Sequence, residues 1–322
     1  MYPGILQMPV RQLPHVFEPF YPFCKTGETP MKPILLTALG IAAGMGLALP
    51  AMTQQSSVDP AELKRLMSEH PAWAIWLTDP KLAQLTLAGP KMPGSQYNVD
   101  DIRRPQPRHV ETGAACAAKP PSDAEVLFDG HDLSKWAGDH VGEWTVRDGV
   151  VTTGARVYNF LKTKESFGDA QIHVEFREPA QPKPPANPQY HGNSGVFPMG
   201  LYEVQILDNY KTETYPDGMV GSIYSQFPPL VNAARPAGVW QCYDIVFHAP
   251  HFSGDTATSP ARMTVMLNGV LVQDNVALIG ATVHGKVGTY APHPAELPLA
   301  LQDHGNPDSH VSFRNIWVRR LP

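Results

Sequence analysis

The chain has 322 residues, 43% of them apolar, and a formal charge of -5 at pH 7. That length holds one large all-β domain or two ordinary ones with a real core. The charge is small and carries no run of Lys or Arg, which excludes nucleic acid as a partner, and the 34 prolines argue against a helical bundle.

Residues 1–30 carry several prolines and no periodicity, and they precede a stretch that reads as an export signal. In residues 31–51, Lys32 supplies the positive end, Ile34 to Leu49 the apolar run, and Ala51 a small residue for cleavage. The expectation is translation from Met31 and export to the periplasm or beyond. The run is too short and too rich in Gly and Ala for a membrane span. Cys24 falls in the leader, leaving Cys116 and Cys242; an oxidising compartment permits a disulfide between them, which the sequence leaves open.

Residues 52–88 read as a short helical segment, with Asp59 as cap, Pro60 in the first turn and His70-Pro71 as a stop. Trp73 to Leu87 suggests a further helix. Residues 89–123 are rich in Pro and Gly and read as a linker or wrapping arm. Arg103, Arg104, Arg108 and His109 within it read as solvated charges.

The pattern changes over residues 124–322. Short apolar alternations are separated by the turn pairs Asp129-Gly130, Asp148-Gly149 and Asn268-Gly269. Many short strands without intervening helices predict an all-β fold, a β-sandwich or jelly roll. Trp136, Trp144, Trp240 and Trp317 sit within apolar patterns and are expected in the core.

The most informative strand is Tyr202-Glu-Val-Gln-Ile-Leu-Asp-Asn209. Its Glu203 and Gln205 share one face and Val204 and Ile206 the other. Glu is disfavoured in strands, so this polar face, running into Asp208, suggests a binding surface. His173, Glu175 and Arg177 share a face of a second strand in the same way. The loop His191-Gly-Asn-Ser-Gly195 offers Asn193, Ser194 and close backbone approach, and the C-terminal region adds Gln302, His304 and Arg314. Each residue has an ordinary alternative: Glu175 with Arg177 as an ion pair, Asn193 and Ser194 as turn formers, His304 as a surface histidine. Taken jointly they predict one groove in which amides and carboxylates grip sugar hydroxyls. No phosphate-binding loop, paired-Cys zinc spacing or nucleophile elbow is present.

Several segments occur in a recognisable order: Leu127-Phe-Asp-Gly-His-Asp-Leu-Ser-Lys-Trp136, Gly192-Asn-Ser-Gly195, Tyr202-Glu-Val-Gln-Ile-Leu-Asp208, Gly221-Ser-Ile-Tyr224, Trp240-Gln-Cys-Tyr-Asp-Ile245, Leu301-Gln-Asp-His-Gly305 and Phe313-Arg-Asn-Ile316. Together they resemble the bacterial 3-keto-disaccharide hydrolase family over roughly residues 124–321. The resemblance implies a concanavalin A-like jelly roll, exported, acting on glycosides already oxidised at C3. A C3 ketone acidifies the C2 proton; a base removes it, the aglycone leaves C1, and water adds to the enone. On this expectation Glu203 or Glu175 is the base, with Arg177, Asn193, Ser194, Gln205, Asp208, Gln302 and Arg314 around the sugar. His304 is the acid or a metal ligand, and a divalent metal is the alternative stabiliser of the enolate. The competing expectations are a conventional retaining glycosidase, which needs a second carboxylate near the first, and a non-catalytic carbohydrate-binding module. The loop from His284 to His293 departs from the family pattern and is expected to shape specificity.

Overall fold

Asp148-Gly149 and Asn268-Gly269 each place both residues at positive φ (52° and 76°, 53° and 79°), the backbone of a two-residue hairpin turn whose twist suits its strands. They join β3 (Thr145–Arg147) to β4 (Val150–Thr152) and β12 (Arg262–Leu267) to β13 (Val270–Ala277). The remaining strands are β1 (Glu125–Phe128), β2 (Trp136–Ala137), β5 (Asn159–Phe167), β6 (Ala170–Arg177), β7 (Ser194–Phe197), β8 (Val204–Ile206), β9 (Gln241–His248), β10 (His251–Ser253), β11 (Thr256–Ser259), β14 (Leu297–Asp303) and β15 (Ser312–Arg320). This computed structural model describes residues 58–113, 116, 119–154, 157–180, 187–307 and 309–322. The start at Met31, the signal segment and Cys24 lie outside the described residues.

The strands form two principal antiparallel sheets. One runs β13-β12-β9-β6-β15-β4-β3, with β1 also paired to β15; the other runs β2-β5-β14-β7-β8. Alternation buries one face of each sheet against the other. Ile172, Val174 and Phe176 of β6, Ile245 and Phe247 of β9, and Phe313 and Val318 of β15 meet Leu161, Val196, Val204, Ile206, Leu299 and Leu301 of the smaller sheet in one core. Trp136 and Trp144 join it. Trp240 does not: it lies half-buried on the outer side of the larger sheet, against two arginines.

Three helices precede the sandwich: α1 (Pro60–Glu69), α2 (Ala74–Leu77) and α3 (Pro80–Ala88). Asp59 caps α1 and Asp79 caps α3, each with a proline in the first turn. Among the described residues no helix is long and apolar enough to cross a membrane. Leu66, Trp73, Trp76, Leu77 and Leu87 form a second core that takes in Ile102 of the following arm and Tyr215 and Tyr224 of the loop after β8. The helical segment therefore packs on the loop that extends the smaller sheet.

That loop is anchored across the main core by Tyr243. Its hydroxyl donates to the Gln205 carbonyl and accepts from Gly221 N–H at 2.7 Å. Gly221 N–H also donates to the Gln205 carbonyl at 3.1 Å, so removing the hydroxyl takes one hydrogen bond from each group without orphaning it, which costs about 0.5–1.5 kcal/mol. Tyr243→Phe is expected to lower unfolding stability by that amount in urea titration; an unchanged midpoint would show that the anchor carries no load.

Candidate functional site

Alternation sorts the predicted site residues onto two different surfaces. Val204 and Ile206 enter the core, so Glu203 and Gln205 project from the outer face of the smaller sheet. Ile172, Val174 and Phe176 enter the core from the larger sheet, so His173, Glu175 and Arg177 project from its outer face. The two outer faces look in opposite directions. The expectation of a single groove holding Glu175, Arg177, Arg314, Glu203 and Gln205 is corrected: those residues do not converge.

On the smaller sheet, Gly195 pairs with Gln205, Val196 with Val204 and with Leu301, and Phe160 with Gln302. The sheet is extended past β8 by residues 221–224, where Tyr224 N–H donates to Glu203 O at 3.2 Å and Gln205 N–H to Ser222 O at 3.1 Å. Phe160, Gln302, Gly195 and Gln205 therefore lie in one row across the outer face, with Phe197, Glu203 and Tyr224 in the next. Gly195 leaves a gap in that row, and Glu203 leans into it. A Cβ at 195 would stand 2.6 Å from Glu203 Oε1 and 2.7 Å from the Phe197 ring, closer than real Cβ contacts allow.

Glu203 is 4% exposed, and no hydrogen bond reaches its carboxyl from the described residues. Burial pushes its pKa well above the usual carboxylate range, and the neighbouring Asp100 pushes it further. Asp100 comes from the arm before the sandwich. It is fully buried; its carboxyl accepts from Ser225 Oγ at 2.9 Å and Gly285 N at 3.1 Å, and its own N–H donates to Asp217 at 3.0 Å. Arg104 lies 3.5 Å from Asp217 and is buried, which corrects its reading as a solvated charge. Arg103 is also engaged, donating to Asp101 and to Glu62 of α1. Burial raises Asp100 to about 7 against the pull of Ser225, Gly285 and Arg104. Burial and Asp100 raise Asp217 to about 8.

The far wall is aromatic and imidazole. Tyr215, Tyr224 and His284 form a hydroxyl–hydroxyl–Nδ1 relay at 2.7 and 2.8 Å, and His284 lies parallel to the Tyr224 ring. Burial lowers the His284 pKa. His304 sits at the end of β14, edge-on to Tyr158, with Nδ1 at 2.6 Å from Asn306 Oδ1. Burial, with His284 nearby, lowers it to about 4 despite the Asn306 hydrogen bond. Both rings are neutral near pH 7, and His304 is not a charged acid there. Gln302 donates to Tyr158 Oη at 3.0 Å, while its buried Oε1 has no partner among the described residues.

Other predicted ligand-binding groups are engaged with the protein itself. Gln205 donates to Gly218 O at 3.3 Å and accepts from Ile206 N at 3.1 Å. Asn193 donates to Gln189 O at 2.8 Å, and Ser194 to Gln302 O at 2.6 Å. Asp208 accepts from Tyr210 N at 3.4 Å, and burial raises its pKa. Among the described residues no group of three or more His, Cys, Asp or Glu side chains is placed to hold a metal ion.

On the opposite face, Glu175 is held by Arg314 Nε at 2.6 Å and Asn315 Nδ2 at 2.8 Å, with His173 Nε2 at 3.8 Å. His173 bonds Asp244 at 2.7 Å and stacks on Trp317. Arg177 and Arg314 both lie over Trp240, at 4.7 and 4.1 Å from its centroid. Burial opposes both charges. Even so, hydrogen bonds from His173, Asn315 and Arg314 carry Glu175 down to about 2, and those to Asp244 and Glu175 carry His173 up to about 9. A carboxylate ionised down to pH 2 is a poor proton acceptor near neutrality. Beside it a hollow of about 400 Å³ is lined by Pro120, Phe128, Arg314 and Asn315. Cys116 and Cys242 are not joined by a disulfide, and their sulfurs lie 3.8 and 4.0 Å from Asn268 Oδ1.

Sequence reasoning missed Asp100, Asp217 and Tyr224. The available signal for Asp100 was the run Val99-Asp-Asp-Ile102, an acidic pair bracketed by two apolar residues in an otherwise polar stretch; Val99 and Ile102 are fully buried.

A family model for a 3-keto-alpha-glucoside-1,2-lyase-like domain matches residues 123–319. Among solved structures, one from Parabacteroides distasonis described as a "putative glycosyl hydrolase" is 42% identical, with a TM-score of 0.59, covering 62% of this chain and 85% of that one. A second of the same description and organism is 19% identical at TM-score 0.45, covering 62% and 94%. The carbohydrate-binding module CBM66 from Bacillus subtilis is 11% identical at TM-score 0.34, covering 57% and 95%. No curated protein matches the chain.

The Glu175 network yields a stability prediction. Its folded pKa of about 2 lies below the unfolded value of 4.5, so its contribution is present above pH 4.5 and is lost as pH falls toward 2. Glu175→Gln takes one counter-charge from buried His173, which keeps Asp244 at 2.7 Å, and from part-exposed Arg314, and is expected to cost ~1.5–3 kcal/mol at pH 7, the range for hydrogen bonds to charged groups. The gap to the parent protein should narrow in acid; equal melting temperatures at pH 7 would contradict the assignment.

Proposed function

The chain belongs to the 3-keto-alpha-glucoside-1,2-lyase-like family, and from that premise we propose that it cleaves the glycosidic bond of 3-keto-glycosides with Glu203 as the base. The observation that carries the reading is the Glu203 carboxyl, buried over Gly195 and held by no protein donor among the described residues. Such a group has a basicity suited to abstracting a proton next to a carbonyl.

The reaction balances as follows. Glu203 takes the C2 proton, and the C–H electron pair forms an enolate conjugated to the C3 carbonyl. The enolate re-forms the ketone and expels the aglycone from C1 with its bonding pair, leaving a C1–C2 double bond. Water then adds its oxygen at C1, the proton taken by Glu203 returns to C2, and the proton shed by the water neutralises the departed aglycone. A dry pocket favours the first step, since water would solvate the carboxylate and blunt its basicity. Phe160, Phe197 and Tyr158 provide apolar cover, with Phe197 edge-on to Phe160. The neutral His284, fixed by Tyr224, is the candidate donor to the developing oxyanion. Gln302, with its unsatisfied carbonyl oxygen, is suited to accept from a sugar hydroxyl.

A conventional retaining mechanism needs a second carboxylate about 5–5.5 Å away and open to the sugar. Asp100 and Asp217 are fully buried and closed to a sugar, with Asp100 held by Ser225 and Gly285 and Asp217 beside Arg104, which disfavours that reading. The same proposal takes residues 31–51 as an export signal, so that the substrate is a small extracytoplasmic carbohydrate. Glu203→Gln is expected to lower turnover of a 3-keto-glucoside by ~10²–10⁴-fold while leaving the unoxidised glucoside uncleaved, as in the parent protein. Turnover within a few-fold of the parent would remove Glu203 from the role.

A further inference from the structure

Cys116 lies on the arm, before the family region at residues 123–319, and Cys242 lies on β9 within it. Their sulfurs meet at one acceptor. Asn268 Oδ1 stands 3.8 Å from Cys116 Sγ and 4.0 Å from Cys242 Sγ, and the two thiols hydrogen-bond each other. We propose that this reduced pair is a redox site, closing to a disulfide that staples the arm to the outer face of the larger sheet. The proposal does not depend on the role of Glu203.

The arm is already seated where the bond forms. Val110 N–H donates to Asn232 O at 2.9 Å, and Asn232 N–H donates to Arg108 O at 3.0 Å. Arg235 then grips the arm through Thr112 Oγ1 at 3.0 Å and through the Gly113 carbonyl. Tyr243 and Ile245 of β9 enter the core, so Cys242 faces outward, beside Glu175 of β6. Oxidation leaves no acceptor bare. Asn268 Oδ1 keeps Cys242 N–H at 3.0 Å. Trp240 O, which accepts from Cys116 Sγ at 3.8 Å, keeps Arg235 Nη1 at 3.0 Å. Two weak S–H donors are lost and nothing is orphaned.

The two sulfurs differ in the way an exchange site requires. The hydrogen bond from Cys242 holds the Cys116 thiol below its usual range against burial, helped by Arg235, whose Nη1 lies 3.9 Å away, and opposed by Glu175. The same hydrogen bond and burial raise Cys242, which is 1% exposed. Cys116 is half-buried and is the sulfur that a small oxidant reaches first. Its thiolate attacks a small-molecule disulfide such as oxidised glutathione, forming a mixed disulfide and releasing one glutathione thiolate. Cys242 gives its proton to that thiolate, attacks the Cys116 sulfur and expels the second glutathione, which takes the proton Cys116 had shed. Two protein thiols are oxidised, and one glutathione disulfide is reduced to two thiols. The bond fastens to β9 the segment whose helices pack on Tyr224.

The test uses the full chain carrying Cys24→Ser, so that Cys116 and Cys242 are its remaining cysteines, equilibrated with oxidised glutathione or with dithiothreitol. The oxidised sample is expected to lose two hydrogen atoms in intact mass, to show no thiol on titration in denaturant, and to yield a joined peptide holding Cys116 and Cys242. Its melting temperature is expected to stand about 4–10 °C above that of the reduced sample. Cys116→Ser and Cys242→Ser in the same background lose that rise, and Cys242→Ser stops at a glutathione adduct on Cys116. Two titratable thiols after oxidation, a lasting glutathione adduct on Cys116 with Cys242 intact, or a bond joining two chains through Cys116 overturns the proposal. A joined peptide with an unchanged melting temperature overturns it as well, since a staple must restrict the unfolded chain.

Discussion

A missing methyl group governs this site. At residue 195 a side chain of even one carbon would collide with Glu203 and Phe197, and without it a carboxyl can lie down on the sheet instead of standing into solvent. Glycine in a strand interior weakens the strand, so the position is accepted at a cost. In return Glu203 gains a dry bed over Gly195 beside Phe197, and burial makes a proton acceptor from an ordinary acid. The rest of the site serves that placement. Tyr243 secures the β8 backbone, and the helical segment packs against Tyr224.

The two outer faces of the sandwich use the same residue types for opposite purposes. On the larger sheet, Glu175 meets Arg314, Asn315 and His173, and its charge is favoured. On the smaller sheet, Glu203 meets another acid and no described donor, and its charge is disfavoured. Burial is common to both; the partners decide the outcome. The first arrangement locks strands together, and the second leaves a carboxyl whose protonation can change.

Much of the fold was legible because local rules acted alone. The period-two pattern of Ile172, Val174 and Phe176 buries that face as expected, and the Asp-Gly and Asn-Gly pairs adopt the hairpin turns their residue types favour. Within one strand, alternation separated Glu203 from Val204 without ambiguity. Alternation cannot say, however, whether the polar faces of two strands look the same way. β6 and β8 belong to different sheets, so their polar faces point apart, and a groove joining Glu175 to Glu203 could not form. The arm failed for a related reason. Arg104 and Asp217 are far apart in sequence, and nothing local to either announces the pairing. Trp240 sits in an apolar pattern yet serves as a platform for two guanidinium groups.

Catalysis by Glu203 requires the sugar to bind over Gly195 and not on the opposite face. The most direct measurement is a crystal structure of the Glu203→Gln protein soaked with a 3-keto-glucoside. The ring should lie across the Gln302–Gly195–Gln205 row, with C2 about 3 Å from the side chain at position 203 and the ketone turned toward His284. A ring seated in the hollow beside Arg314 and Asn315, with the smaller sheet empty, would contradict the account.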